Sequence, residues 1–120
     1  MSVVTNIIIV HNHGELYKRK VPILYEINKY FDFIENDEEN AESSKRYFKS
    51  IGEDVFVGGD KNWEAQTYMA ANNYMNIKKF LKHLSHINWQ FPQDVFVLVK
   101  EQDSNSFTEV FQNFYNSIYS

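Results

Sequence analysis

The chain has no cysteine, only two prolines and four glycines, and no long apolar run. The absence of cysteine excludes disulfides, thiolate zinc sites and a cysteine nucleophile. Small secreted proteins usually need disulfides or metal sites for stability, so we expect a cytoplasmic location. No stretch approaches the roughly 20 apolar residues that span a bilayer. We expect no signal peptide, because no basic residue precedes the short apolar segment near the start.

Positive charge is also scarce, with 12 Lys and Arg residues against 16 Asp and Glu residues and a formal net charge of −4. A general nucleic-acid-binding protein needs a basic surface that displaces counterions from phosphates, so this class is disfavoured. The basic and aromatic run 45–49 could stack on RNA, but the aromatic-rich strand signature of the common RNA-binding module is missing.

Apolar and aromatic side chains are abundant, at 43% and 17% of the residues. Aromatic side chains bury large areas and dominate cores and interfaces. A chain of 120 residues without a linker rich in Pro, Ser or Gly has the size of one domain. We therefore predict a single domain over residues 1–120.

Hydrophobic periodicity predicts the secondary structure of the first half. A β-branched strand is expected from Val3 to His11, and a helix with one apolar stripe from Pro22 to Glu35. A short helix capped by Ser43 or Ser44 is expected to run through Lys49.

The middle of the chain reads as a hairpin. A short strand is predicted at 54–57, followed by a glycine-rich turn at 58–62. Residues 64–73 fit strand alternation and a helical period alike. The tight turn before them favours a strand.

The last third contains one helix and one strand with clear signals, and one ambiguous tail. Asn76 is a good N-cap for a helix whose apolar stripe extends from 77 to 87, and 94–99 reads as a buried strand. The tail at 107–118 fits a strand or a helix, and a helix over most of 108–118 is favoured.

This order of elements predicts an α+β fold. Two right-handed βαβ crossovers joined by a hairpin give a ferredoxin-like βαββαβ sandwich, with helices on one face of an antiparallel sheet. The C-terminal helix or strand is an addition to it. Such a fold hosts many unrelated functions.

Three stretches carry a family resemblance: VTNII at 4–8; GGDKNWE at 58–64 with YMAANNY at 68–74; and FLKHL at 80–84 with Trp89, Pro92 and VKEQ at 99–102. They resemble a family of small, mostly uncharacterised bacterial proteins, which are similar to the short immunity proteins that accompany bacterial toxins. The resemblance implies a protein-binding function and carries over no catalytic residue.

Four histidines fall in two pairs, His11 with His13 and His83 with His86. Each pair would share one face of its strand or helix. If the two elements met, four imidazoles could converge on zinc or copper. The alternative is that all four are ordinary core or surface residues, because no Asp or Glu stands beside them in sequence to orient the rings. We assign no metal site and no cofactor, and keep the four as candidates.

The region from 35 to 42 contains five acids and no base: Glu35, Asp37, Glu38, Glu39 and Glu42. It could dock a basic partner, because complementary charge speeds encounter and selects the partner. Exposed aromatics such as Trp63 or Tyr115 would anchor the interface. The alternative is a solvated loop that only keeps the protein soluble.

No recognised catalytic motif is present: no serine-centred elbow, no metalloprotease helix and no Walker spacing around 58–61. We therefore expect a non-enzymatic protein-binding module, in its most concrete form an immunity-type inhibitor that neutralises a basic bacterial toxin through the five acids and Trp63. The alternatives are a His-dependent or metal-dependent enzyme, and a self-associating structural domain that forms a homodimer through its aromatic C-terminal tail.

Overall fold

A computed structural model of the chain describes residues 4–35, 46–51, 64–73 and 75–119, except for the side chains of 33–35. These residues form an α+β fold, with a five-stranded antiparallel sheet packed against three α-helices. Within these ranges, no helix combines the length and the apolar character needed to cross a membrane.

The sheet is built around its first strand. The strands, in chain order, are β1 Val4–Asn12, β2 Lys49–Ile51, β3 Ala65–Asn73, β4 Phe96–Glu101 and β5 Thr108–Glu109. Their order in the sheet is β2-β3-β1-β4-β5, and every neighbouring pair is antiparallel. The edge strand β5 is an addition to the predicted four-stranded sheet, and the ferredoxin-like topology itself stays a prediction.

Two of the three described helices begin within one residue of the predicted start, and the last begins at Phe111 rather than near Thr108. They are α1 Ile23–Glu35, α2 Ile77–Ser85 and α3 Phe111–Tyr119, and short 3-10 turns occupy His13–Leu16 and Pro92–Asp94. Pro22 precedes α1, where a missing N–H costs nothing. The Asn76 side chain accepts a hydrogen bond from the Lys79 N–H at 3.0 Å and caps α2, which confirms the predicted N-cap.

The hydrophobic core lies between one face of the sheet and the helices. Its members alternate along the strands and recur on the helix stripes: Ile7, Ile9, Tyr68, Val97, Val99, Ile23, Ile27, Phe31, Phe80, Leu84 and Phe111. Phe48 stacks on Phe80, with ring centroids 5.4 Å apart. Fully buried aromatic residues thus tie α1, α2 and α3 to the same side of the sheet.

The chain around Lys49 differs from the predicted helix. Lys49–Ile51 is a strand whose residues pair with β3. The physical reason lies on α1, where the buried Asn28 side chain accepts from the Phe48 N–H at 2.8 Å and donates to the Phe48 carbonyl at 3.3 Å. These two hydrogen bonds hold the Phe48 backbone against α1, and β2 begins at the next residue.

Other predicted segments have mixed outcomes. The strand over 65–73 is confirmed, whereas the predicted strand at 54–57, its turn and residues 43–45 lie outside the described residues. The predicted strand at 94–99 begins two residues later, because Pro92 starts a 3-10 turn. The tail realises both alternatives, a two-residue strand and then α3.

A buried ion pair holds the connection into β4. Glu15 is fully buried, and its carboxylate accepts from Arg19 at 3.0 Å and from the backbone N–H groups of Gln90 and Phe91 at 2.9 and 2.7 Å. Arg19 also donates to the Asn88 carbonyl at 2.7 Å. The segment that leads into β4 is thereby fixed to the turn that follows β1.

Removal of Arg19 should cause a large loss of stability, and the loss should be smaller when Glu15 is neutralised as well. Arg19→Met leaves the Glu15 carboxylate buried beside two N–H groups but without its cation, and we expect a loss of about 3–5 kcal/mol in urea unfolding. The double variant Glu15→Gln, Arg19→Met should cost less than Arg19→Met alone, because the buried charge is gone. The exposed neighbour Lys20 supplies the control, Lys20→Met, which should stay within about 0.5 kcal/mol of the parent. Equal costs for Arg19→Met and Lys20→Met would contradict the role of this pair.

Candidate protein-binding face of the sheet

One face of the sheet is not part of the core. Along β1, Ile7 and Ile9 are buried against the helices, so Ile8 and Val10 point to the opposite side. We call this side the outer face, and its members share register with Ile8 and Val10 on the neighbouring strands. They are Ile8, Val10, Lys49, Ile51, Thr67, Met69, Phe96, Leu98 and Glu109.

The outer face is apolar across its centre. Ile8 lies between Met69 on β3 and Leu98 on β4, while Val10 lies between Thr67 and Phe96. Met69 and Phe96 are 41% and 40% exposed, although both are large apolar residues. Ile8, Val10 and Leu98 between them are half-buried, and apolar patches of this kind often mark interaction surfaces when they are large.

Charged residues occupy positions on the two edge strands beside this patch. Lys49 on β2 is exposed and pairs with Met69. At the opposite edge, Glu109 on β5 pairs with Leu98, and its carboxylate accepts from the backbone N–H groups of Val97, Phe111 and Gln112 at 2.8, 2.9 and 3.0 Å. The Glu109 carboxylate is therefore directed to the start of α3, and the charged residues in register with the outer face are Lys49 and, beyond Leu98 on β4, Lys100.

The sequence of β1 explains why this face is unusual. Residues 7–10 of β1 and 95–99 at β4 are apolar without interruption. An antiparallel sheet with one solvated face normally alternates apolar and polar residues, whereas continuous apolar runs belong to strands covered on both sides. The described helices pack on the inner face, so the outer face carries apolar residues that no described helix covers.

His11 is placed in the core rather than at a site. Its Nδ1 donates to the Asn12 carbonyl at 2.8 Å, so in the neutral ring Nε2 accepts from the Tyr68 hydroxyl at 2.9 Å. Burial lowers the pKa of His11, against the raising effects of the Asn12 carbonyl and the Glu15 carboxylate. Both side chains are buried, so this geometry satisfies two polar groups inside the core.

The second histidine pair lies on α2, with His83 against α1. The His83 Nε2 donates to the Glu26 carbonyl at 2.7 Å, and burial lowers the pKa of this imidazole. His86 caps the end of α2 and is exposed. His13 begins the 3-10 turn after β1, where its ring contacts Tyr17. In the part of the chain that the structure describes, no three His, Asp or Glu side chains are grouped where they could hold a metal ion.

A cleft of about 340 Å³ lies beside α1. Its lining is mostly apolar and comprises Pro22, Leu24, Tyr25, Asn28, Asp32 and Tyr47. The one carboxylate in it belongs to Asp32 and accepts from the Tyr47 hydroxyl at 2.6 Å. The cleft is therefore an apolar recess whose single acidic group already accepts a hydrogen bond from Tyr47.

The partner-binding residues predicted from the sequence fall mainly outside the described chain. Glu35 ends α1, but its side chain is not among those described, and the same holds for Asp37, Glu38, Glu39, Glu42 and Trp63 as whole residues. Tyr115 is described, and it packs beside Phe111 and Tyr119 with ring centroids 5.4 and 4.6 Å away. It therefore contributes to the packing of α3 on the domain.

Sequence reasoning missed the outer face, although a signal for it was present. The runs at 7–10 and 95–99 predict buried strands, and their apolar side chains on both faces require a cover on both sides. Counting predicted helices against sheet faces would have left one face without a cover.

Known proteins provide no further guide to this site. Comparisons with protein-family models, with curated proteins and with solved structures find no match.

The lowered pKa values of His11 and His83 predict that acid destabilises the fold. Because burial lowers their pKa values below the ordinary value of about 6.5, the unfolded chain binds more protons than the folded chain as the pH falls below that value. The free energy of unfolding should therefore decrease between about pH 7 and about pH 5.5. Urea unfolding at several pH values measures this slope.

The His83→Gln variant tests the origin of that slope. Glutamine retains an N–H donor for the Glu26 carbonyl but does not titrate, so the slope should become shallower than in the parent protein. His86→Gln, at an exposed position one turn later, is the matched control. The assignment fails if both variants show the parental slope.

Proposed function

We propose that this protein is a non-enzymatic protein-binding module that acts by covering a surface of its partner. The observation that supports it is the outer face, where Ile8, Val10 and Leu98 lie outside the core cluster and Met69 and Phe96 are exposed. Burial of apolar surface is the main driving force of most protein associations, at roughly 25 cal/mol per Å². This arrangement suits a docking face better than a catalytic site, because it presents large apolar groups on a rigid sheet.

The most concrete form of the proposal is an immunity-type inhibitor that neutralises a bacterial toxin in the cytoplasm. Three features of the sequence support it: the resemblance described above, the five acids between 35 and 42, and the formal net charge of −4. An acidic inhibitor attracts a cationic toxin over long distances, while apolar contacts hold the complex once it has formed.

We further propose that the fold is a ferredoxin-like sandwich extended by β5. The succession strand, helix, strand, strand, helix, strand from β1 to β4 supports this, together with the antiparallel pairing throughout the sheet.

The outer face predicts that one apolar-to-charged change abolishes partner capture. Met69→Lys introduces a charge at the centre of the face, and a buried charge without a partner is costly at an interface. We expect capture of the native partner from host extract to fall by a factor of about 10 or more, measured by quantitative mass spectrometry on immobilised protein.

The control for this experiment is Tyr25→Ser, on the helical side of the domain. Tyr25 is 56% exposed, so its loss should not unfold the protein and should leave capture unchanged. The captured protein is then expressed in a bacterial host, alone and together with this chain. Growth arrest that co-expression relieves is the expected result for a toxin inhibitor. Equal capture by the parent and Met69→Lys would refute the outer face as the binding surface.

The acidic stretch predicts a kinetic rather than a structural effect. Replacing Glu35, Asp37, Glu38, Glu39 and Glu42 by Gln or Asn should slow association with the toxin and flatten its salt dependence, because several charges act together on the encounter. The thermal midpoint should hardly change, since an exposed ion pair is worth only about 0–1 kcal/mol. Stopped-flow association at low and high salt measures the association rate and its salt dependence, and a thermal melt measures the midpoint. An unchanged association rate at low salt would assign the interface elsewhere.

A further inference from the structure

The helices present a basic surface on the side of the domain that points away from the sheet. The exposed residues of α2 lie opposite its buried stripe, and this helix contains no acid. The exposed residues of α1 lie opposite Ile27, which is buried in the core. We call this surface the basic helical face, and its members are Tyr25, Lys29, Lys78, Lys79, Lys82 and His86.

No described carboxylate forms an ion pair with the lysines of this face. The two ion pairs between described residues both belong to Arg19, which binds Glu15 and Glu26. The Asp32 carboxylate on α1 accepts from the Tyr47 hydroxyl. The formal net charge of −4 is a sum over the whole chain, so it disfavours a general binder of polyanions but still permits this local positive surface.

The charges on α2 are arranged unfavourably for an isolated helix. Lys78 and Lys79 lie in its first turn, which contains no acid, although the N-terminal end of a helix carries a partial positive charge. Lys82 follows Lys78 by four residues and Lys79 by three, and like charges at these spacings repel each other. An anion over the face would relieve both effects, so the charges that weaken the free helix favour a polyanionic ligand.

His83 lies between the charges of the two helices. Its Nε2 donates to the Glu26 carbonyl at 2.7 Å, which places it where α2 contacts α1. Burial lowers the pKa of His83, and the nearby charges of His86 and Lys29 lower it further. The Lys29 Nζ also lies over the Tyr25 ring, 5.3 Å from the ring centroid. The cations of α1 and α2 therefore form one continuous surface that includes an exposed aromatic ring.

We propose that the basic helical face binds single-stranded nucleic acid, with its lysines on the phosphates and Tyr25 against one of the bases. This inference goes beyond the proposed function and uses the opposite side of the sheet from the outer face. Proteins that bind single strands without sequence preference combine a positive surface with aromatic side chains on which bases stack. Neutralised phosphates release their counterions, which drives binding and makes it depend on salt.

The other side chains of the helical layer favour a nucleic acid over a membrane. A surface that binds a bilayer inserts large apolar side chains, whereas Tyr25 is the one exposed large apolar residue among the described side chains of α1 and α2. Tyr119 on α3 donates its hydroxyl hydrogen to the Ser85 carbonyl at 3.0 Å, so α3 lies beside α2. Asn113 and Asn116 on α3 are exposed, and amide side chains are frequent ligands of phosphate and sugar.

Fluorescence anisotropy of a labelled oligothymidylate of about 12 nucleotides tests the proposal. The full chain should bind it at low salt with a dissociation constant of about 100 μM or tighter. The logarithm of the binding constant should fall linearly with the logarithm of the salt concentration, with a slope of about −3 for the lysines of the face. An oligonucleotide that stays unbound at low salt overturns the proposal.

Two matched double variants test whether binding takes place on this face. Lys79→Gln with Lys82→Gln removes two of its lysines, so the affinity at low salt should fall about 10-fold and the salt slope should become shallower by about 1.4. Lys49→Gln with Lys100→Gln makes the same change in net charge on the outer face and should leave both quantities unchanged. Equal losses in the two double variants would overturn the assignment, because net charge alone would then explain the binding.

The melting temperature separates the loss of binding from a loss of folding. The variant with Lys79→Gln and Lys82→Gln should melt at or above the temperature of the parent, because it removes a repulsion on α2. A clearly lower melting temperature would show that these lysines stabilise the fold, and it would overturn their assignment to a ligand.

Tyr25→Ser tests the stacking contact without a change in charge. The affinity for the oligonucleotide should fall about five-fold or more, while the salt slope stays that of the parent. This variant should still capture the protein partner, whereas Met69→Lys should lose that partner and keep the oligonucleotide. The two proposals can therefore fail separately. Parental affinity in Tyr25→Ser would refute the stacking contact.

Two other polyanions test the class of the ligand. A labelled polyglutamate peptide with the same number of charges should bind more weakly than the oligonucleotide at equal salt, because it offers no base to Tyr25. Vesicles of phosphatidylserine and phosphatidylcholine should not sediment the protein. Tighter binding of the peptide, or sedimentation with the vesicles, would assign the face to an acidic protein or to a membrane and overturn the proposal.

Discussion

The pairing of β1 on both of its edges is the constraint on which the rest of this structure depends. Antiparallel ladders to β3 and β4 satisfy its backbone groups, and its side chains contribute to both faces of the sheet. The inner side chains of β1 anchor the three described helices through Ile7 and Ile9. A slip of one residue in either ladder would exchange the two faces and move these residues to the outside. The register of one strand therefore determines the core and the candidate binding surface together.

The inner face contains polar groups that other polar groups satisfy. His11 bonds to Tyr68, and Asn28 bonds to the backbone of Phe48. Among the described residues, no buried side-chain nitrogen or oxygen lacks a hydrogen-bond partner. A buried polar group without a partner costs about 1–3 kcal/mol, so these pairs restrict the core to one arrangement. The same strands carry the outer face, so the positions of its side chains follow from this core.

Sequence periodicity predicts the helices that bury a complete apolar stripe and the strands that bury a complete apolar run of residues. The two strands around 4–12 and 65–73, and the helices that follow Pro22 and Asn76, are found close to their predicted bounds. β2 could not be predicted, because Lys49 and Ser50 carry no strand signal and the strand depends on a side chain from α1. The Glu15–Arg19 pair could not be predicted either, because three of its other partners are backbone groups at 88–91. Long-range contacts of this kind leave no periodic trace in the sequence.

The Asn28 amide replaces a neighbouring strand at Phe48, because it hydrogen-bonds to both the N–H and the carbonyl of that residue. A helix side chain thus supplies one pair of strand-like hydrogen bonds at the start of β2. Asn28 on α1 thereby fixes the start of β2 directly, so the chain that connects α1 to β2 does not have to determine its position. Closing a longer connection costs little, about 0.6 kcal/mol for each doubling of its length. Changes in the length or charge of the acidic stretch between 36 and 42 should therefore leave the register of the sheet unchanged.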